Sequence, residues 1–305
     1  MTFSPFQVHV PATTANLGPG FDSIGAALNI HQNTVVTPSS KWTIQYEEDS
    51  HRSLPTDESN LILSTIRKVE QHFNVKAPAA SLSVASQIPL SRGMGSSAAA
   101  IVTAIDIADS LLSLSLTDAE KITMACEIEG HPDNVSAAVL GGITVSRWTN
   151  KKLDSMKIQT NEVDVLLLVP SHELTTVDAR KSIPDSISHS SAVRSSAAAN
   201  LMIAALLNKD WNMAGKMMEQ DEYHEPYRVQ WIDSFYQIRT EAGKLGAYAT
   251  TISGAGPAIT IFCGKNDVNN ISSKMNKAFP HYSCVLTSIT STGSAISPVY
   301  LKENV

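Results

Sequence analysis

The sequence is poor in cysteine: it holds only Cys126, Cys263 and Cys284. An odd number at wide spacing fits neither a disulfide framework nor a cysteine metal site. The three read as buried thiols in a reducing compartment. Positive charge is also scarce, with 23 Lys and Arg against 29 Asp and Glu for a net charge of −6. Nucleic-acid surfaces carry a basic face, and here Lys and Arg are scattered without a run, so no nucleic-acid partner is expected. No apolar run approaches the ~20 residues of a membrane helix. The opening Met-Thr-Phe-Ser-Pro-Phe has no basic n-region and no long apolar stretch. The expectation is a cytoplasmic protein with no membrane partner. Repeats and low-complexity segments are missing too. The 305 residues, 43% of them hydrophobic, suffice for one large or two medium domains.

One stretch stands out, Pro89-Leu-Ser-Arg-Gly-Met-Gly-Ser-Ser-Ala-Ala-Ala100. Gly93 and Gly95 let the backbone turn sharply and approach a ligand without a Cβ in the way. Ser96 and Ser97 are placed to cap the helix that follows, and the first N–H groups of such a helix form a ready anion site. Ala98, Ile101, Val102, Ile105, Ala108 and Leu112 recur at helical spacing and give that helix one apolar face. Two readings stand: a phosphate loop, or a loop that merely caps a buried helix. A Walker A loop it is not, since Ser96 occupies the position of the lysine. A bound phosphate would need its cation from a metal or from an arginine elsewhere.

The flanking pattern alternates strands and helices. Phe6–Val10 reads as a strand ending at Pro11, and Gly18-Pro-Gly20 as a tight turn flanked by Asn16 and Asp22. Asn and Asp beside a turn usually satisfy their own backbone; the other reading presents an amide and a carboxylate to a small polar ligand. Short strand-like pieces fill 33–36 and 42–46. A helix from Asn60 to about Phe73 and a strand from Ala80 precede the glycine loop. Thr117-Asp-Ala-Glu120 is a capping box for a helix reaching Glu129. Glu127 and Glu129, two residues apart, lie on different faces of it. Glu127, His131, Asp133 and Asn134 then crowd within eight residues, too dense to dismiss as surface. The polar stretch Arg147 to Glu162 is the expected boundary, giving domains 1–155 and 156–305. Beyond it come a buried strand at 163–169, a helix from Thr175 stopping at Pro184, helices within 190–220, and the charged segment Asp221–Arg228. A second glycine loop, Ser253-Gly-Ala-Gly-Pro257, sits between two strands, and a helix and strand close the α+β pattern.

Together these segments resemble the superfamily of small-molecule kinases named for galactokinase, homoserine kinase, mevalonate kinase and phosphomevalonate kinase. The phosphate loop matches at Pro89, Gly93, Gly95, Ser96, Ser97 and Ala98, and the second motif at Ser253-Gly-Ala-Gly-Pro257. Pro11-Ala-Thr-Thr-Ala-Asn-Leu-Gly-Pro-Gly-Phe-Asp22, His131-Pro-Asp-Asn134, Thr176-Val-Asp-Ala-Arg180 and His224-Glu-Pro-Tyr-Arg228 narrow it to the bacterial homoserine kinases. The resemblance runs from about residue 5 to 300. It implies an N-terminal domain like domain 2 of ribosomal protein S5, which carries the nucleotide, and a ferredoxin-like C-terminal domain. It also implies a homodimer.

The reaction implied is transfer of the γ-phosphoryl of ATP to the hydroxyl of L-homoserine, with Mg²⁺. Such transfer needs positioning and charge neutralisation more than covalent chemistry. By resemblance, Pro89, Leu90, Ser91, Arg92, Gly93, Met94, Gly95, Ser96, Ser97 and Ala98 cradle the nucleotide phosphates, and Asn60 meets the adenine or simply caps its helix. Ser96 or Ser97 with Glu127 holds the metal. Arg180 and Arg228 take the acceptor carboxylate, for which a guanidinium fork is suited, in place of the surface ion pairs they would otherwise make. Asn16, Asp22, His131, Thr176, Ser253 and Gly254 complete the acceptor site. Asn134 contacts the transferring group, and Asp133 is the candidate base. Two rivals remain beside this reading: a relative acting on mevalonate or a sugar, and a non-catalytic sensor of the same fold. RNA binding through the S5-like domain is disfavoured by the acidic balance.

Overall fold

The computed structural model describes residues 3–299, apart from the side chain of Thr176. The first half runs β1 (Phe6–Ala15), β2 (Ile24–Pro38), β3 (Thr43–Tyr46), α1 (Leu61–Phe73), β4 (Ala80–Ser86), α2 (Ser96–Leu112), α3 (Asp118–Glu129), α4 (Asp133–Leu140), β5 (Ile143–Thr149) and β6 (Lys152–Ile158). The second half runs β7 (Val163–Pro170), α5 (Thr176–Lys181), α6 (His189–Leu207), α7 (Trp211–Met218), α8 (Glu225–Arg228), α9 (Phe235–Lys244), β8 (Ala249–Ile252), β9 (Ile259–Gly264), α10 (Val268–Ala278), β10 (Tyr282–Ser288) and β11 (Ala295–Pro298).

Two sheets carry the fold. The first has seven strands in the order β11-β1-β2-β4-β3, with β5 pairing both β2 and β6. The second has the order β10-β7-β9-β8, all antiparallel. Numbered along the chain, that order is four-one-three-two, the arrangement expected for a ferredoxin-like unit. β1 outruns its expected end: it passes through Pro11 with a shift in register between Pro11 and Ala12. A bulge accommodates the missing N–H of proline without ending the strand.

The expected boundary at 155/156 needs correction. It falls inside β6, which is zipped to β5 from Ile143↔Ile158 to Thr149↔Lys152. The polar stretch is a hairpin whose alternation exposes every second residue, so its composition imitated a linker. β11 then returns the tail to the first sheet beside β1, in the register Phe6↔Pro298.

β7 shows why the halves cohere. Val163, Val165, Leu167 and Val169 enter the large core of the first sheet, with Met202, Trp211 and Phe262. Leu166 and Leu168 enter a second core with Phe235, Ile238, Ile271 and Met275 of α9 and α10. A strand buried on both faces reads as a continuous apolar run. The 19 residues of α6 are long and apolar enough to cross a membrane by length and composition. Here Ala198, Met202, Ala205 and Leu206 form the stripe that it buries in the protein.

The capping box on α3 is formed as expected, with Thr117 Oγ1 accepting from Glu120 N and Glu120 Oε2 accepting from Thr117 N at 2.8 Å. Thr117→Ala is expected to lower stability by about 1 kcal/mol, read as a lower midpoint with unchanged slope in urea unfolding.

Candidate functional site

The glycine loop threads between β4 and α2, with Ser91, Gly93 and Gly95 all at positive φ. Contrary to the expectation from sequence, the serines do not cap α2. Gly95 is the N-cap, and no side chain bonds the first turn. That leaves the leading N–H groups of α2 without an intramolecular side-chain partner, the condition for an anion site. Both glycines are sterically required. A Cβ on Gly95 would fall 1.9 Å from Thr13 Oγ1, and one on Gly93 would fall 2.1 Å from Ser253 O.

A small polar cavity of about 70 Å³ opens beside this loop. Arg180, Arg228 and His131 line it against Asp22, Asp133 and Glu129, three cationic side chains facing three carboxylates. Arg180 reaches from α5 across the cleft to grip Asp22 with two bonds, at 2.9 and 2.7 Å. Arg228 is buried; its Nη1 donates to Gly254 O at 3.0 Å, and its Nε has no partner among the described residues. Burial and the nearby Arg180 lower the Arg228 guanidinium to about 10, so it stays charged at neutral pH. His131 Nδ1 donates to Asp133 Oδ1 at 2.6 Å. Burial alone would lower the His131 pKa, but the bond and charge of Asp133, with Asp22 and Glu129, raise it to about 9. The ring is therefore an imidazolium at neutral pH. Asn134 Oδ1 accepts from Thr13 Oγ1 at 2.7 Å, which directs the carboxamide from the first turn of α4.

A larger cavity of about 440 Å³ adjoins it and shares Ser91, Ser96 and Ser97. Tyr46, His51, Leu54, Asn60, Leu61 and Leu90 are among its walls. Asn60 is the helix cap that the sequence allowed: its Oδ1 accepts from Ile62 N, and its amide nitrogen donates to Tyr46 OH and Pro55 O. It builds the wall rather than offering a free amide.

Several expected site residues take other places. Glu127 is exposed on α3 and meets Lys151 Nζ at 3.4 Å, away from the loop. Glu129 is the carboxylate at the loop, accepting from Ser97 Oγ at 2.8 Å, and burial raises its pKa. Periodicity held the clue: Glu129 continues the buried face Ile122, Ala125, Cys126, whereas Glu127 does not. Ser253 is buried and donates to Gly93 O at 2.8 Å, so it braces the loop from behind. Asn16 keeps its expected place in the wall of the small cavity, where it also ties Asp22 N to Gly254 O through its two amide ends. Arg92 holds the carbonyls of Leu90, Pro170 and Ser171. The Ala98 side chain lies in the core and Pro89 lines neither cavity, while Met94 and Gly254 line the small one. Thr176 begins α5, but its side chain lies outside the described residues. Thr13, Phe21 and His224, which lie outside the cavity but support the side chains that line it, went unnoticed in the sequence.

The family descriptions "GHMP kinases N terminal domain" and "GHMP kinases C terminal" match residues 60–142 and 202–281. The chain is 38% identical to the homoserine kinase of Bacillus pumilus, over 98% of its length and 97% of that protein. It is 40% identical to the homoserine kinase of Staphylococcus epidermidis, over 97% and 98% respectively. Among solved structures, that of homoserine kinase from Cytophaga hutchinsonii aligns with a TM-score of 0.86 at 26% identity, covering 97% of this chain and 98% of that one.

In the ligand-free protein the His131 ring is expected to titrate near 9 by NMR. Because its folded pKa lies above the unfolded value of about 6.5, its stabilisation is complete below that value and is lost as pH rises through 9. Asp133→Asn should bring the titration down sharply, since burial then dominates.

Proposed function

The chain belongs to the family of GHMP kinases, and from that premise we propose that it transfers the γ-phosphoryl group of ATP to the side-chain hydroxyl of L-homoserine. One observation carries the acceptor class: two guanidiniums and a carboxylate, Arg180, Arg228 and Asp22, converge on one small cavity directly beside the glycine loop. A zwitterion matches that set, whereas a neutral sugar offers no carboxylate to the arginines.

The nucleoside occupies the larger cavity and the phosphates lie along Gly93–Ser97, on the open end of α2. The donor set beside them fits Mg²⁺: the Ser97 hydroxyl and the Glu129 carboxylate are hard oxygen ligands 2.8 Å apart. When bound, Mg²⁺ neutralises charge on the phosphate oxygens, which the absent lysine cannot do. The acceptor carboxylate sits between Arg180 and Arg228, and its ammonium exchanges with Arg180 for Asp22. Thr13 keeps the Asn134 oxygen occupied, so the amide nitrogen is the end that donates to the transferring group. Asp133 takes the hydroxyl proton on the oxygen not engaged by His131 and Asn134 N. A loose transition state makes modest demands on that base. Domain roles follow the corrected boundary: the first sheet with α1–α4 carries the nucleotide, and the second sheet with α5 and α8 supplies the acceptor arginines. A homodimer and a cytoplasmic location belong to the same reading. Sedimentation should give twice the mass of one chain.

A coupled ADP-release assay with homoserine, mevalonate and galactose tests the assignment. Turnover is expected with homoserine alone, and none with homoserine overturns it. Glu129→Ala is expected to lower kcat by about a hundredfold or more, roughly 3 kcal/mol of barrier. Glu127→Ala should stay within about twofold, an exposed carboxylate contributing little.

A further inference from the structure

Two guanidiniums that share one small cavity repel each other, and something must hold them together before an acceptor arrives. Arg180 and Arg228 both lie against Phe21, with their central carbons 5.4 and 5.3 Å from its ring centroid. The same ring stacks on His224, 5.3 Å between centroids and 23° between planes. His224 is completely buried, and its Nδ1 lies 3.2 Å from Arg228 Nη1. A guanidinium can only donate, so this nitrogen accepts and the ring's proton sits on Nε2. That N–H meets Gly18 O at 3.1 Å, which is consistent with the tautomer. Asp221 fixes the backbone beneath, accepting from His224 N at 3.0 Å and Glu225 N at 2.6 Å. Neither Phe21 nor His224 lines the cavity.

We propose that Phe21 and His224 are positioning residues: a shared aromatic platform and a neutral imidazole aim Arg180 and Arg228 as one carboxylate clamp. The ring's negative face offsets part of the repulsion between the two cations. The imidazole lone pair fixes the rotation of the buried guanidinium, and Asp22 does the same for the exposed one. Acceptor affinity is thereby set by two side chains that never touch the acceptor. This rests on the homoserine reading above for its substrate, but the clamp geometry does not.

Steady-state kinetics on the full chain, with homoserine and ATP varied separately, read the first consequence. Phe21→Leu is expected to raise the KM for homoserine about tenfold, within the range of cation–π losses, with kcat and the KM for ATP nearly unchanged. His224→Leu should act likewise. His224→Asn, whose amide oxygen replaces Nδ1 as acceptor, should recover most of the loss. An unchanged homoserine KM in Phe21→Leu, or equal damage to both KM values and kcat, overturns the proposal. A crystal structure of Phe21→Leu gives the second readout. Displacement of Arg180 or Arg228 supports the platform, and both arginines unmoved overturns it. If the parent protein fails to turn over homoserine, the substrate reading falls, and the structure of the variant still decides the clamp.

Discussion

Gly93 and Ser253-Gly254 approach so closely that neither loop has room for a side chain; a Cβ on Gly93 would lie 2.1 Å from Ser253 O, and one on Gly254 3.0 Å from Gly93 O. Around this contact the bonds run in both directions between the halves. Ser253 Oγ donates to Gly93 O, Gly254 N to Ala15 O, and Ala258 N to Arg92 O. Gly254 O in turn accepts from Asn16 and from Arg228. The first glycine loop is therefore braced by the second, which also holds Arg228. Each of these bonds ends on a backbone atom of one of the two loops, and backbone is shorter in reach and stiffer than a long side chain. Phosphoryl transfer needs that stiffness, because a misplacement of about 1 Å costs orders of magnitude in rate.

The second constraint is electrostatic. Three carboxylates and three cationic side chains share one small cavity. A lone buried charge is costly, and pairing offsets the cost only when geometry is good. The bidentate Arg180–Asp22 pair and the short His131–Asp133 contact meet that condition. Arg228 meets it only in part, since its Nε has no partner among the described residues. In the proposed reading an incoming carboxylate supplies the missing partner. The balanced cavity thus favours a ligand that itself carries both signs.

Much of the local structure was readable along the chain. The strand–glycine loop–helix order, the capping box at Thr117 and the α+β pattern are short-range features, set by turns, caps and periodicity within a few residues. The misreadings share a cause. β6 looked like a linker because an edge strand alternates with solvent, and β11 pairs with a strand nearly 300 positions away in the chain. Glu127 was expected from its match to the family's glutamate, whereas the helix face set by Ile122, Ala125 and Cys126 brings Glu129 to the loop.

The sequence by itself determined the two glycine loops, the absence of a Walker lysine, and the inventory of acceptor-type side chains. These depend on backbone freedom and residue chemistry, which are local. Only the tertiary structure decided which groups meet. It made Ser253 a brace behind the loop, gave Asn16 a bracing role at the cavity wall, set Ser97 beside Glu129, and brought Phe21, Arg180, His224 and Arg228 together from three separate segments. The reason is packing. A contact between residues more than a hundred positions apart exists only once both sheets have closed over a common core. The glycines that began as turn formers end as the surface on which the two halves are fitted.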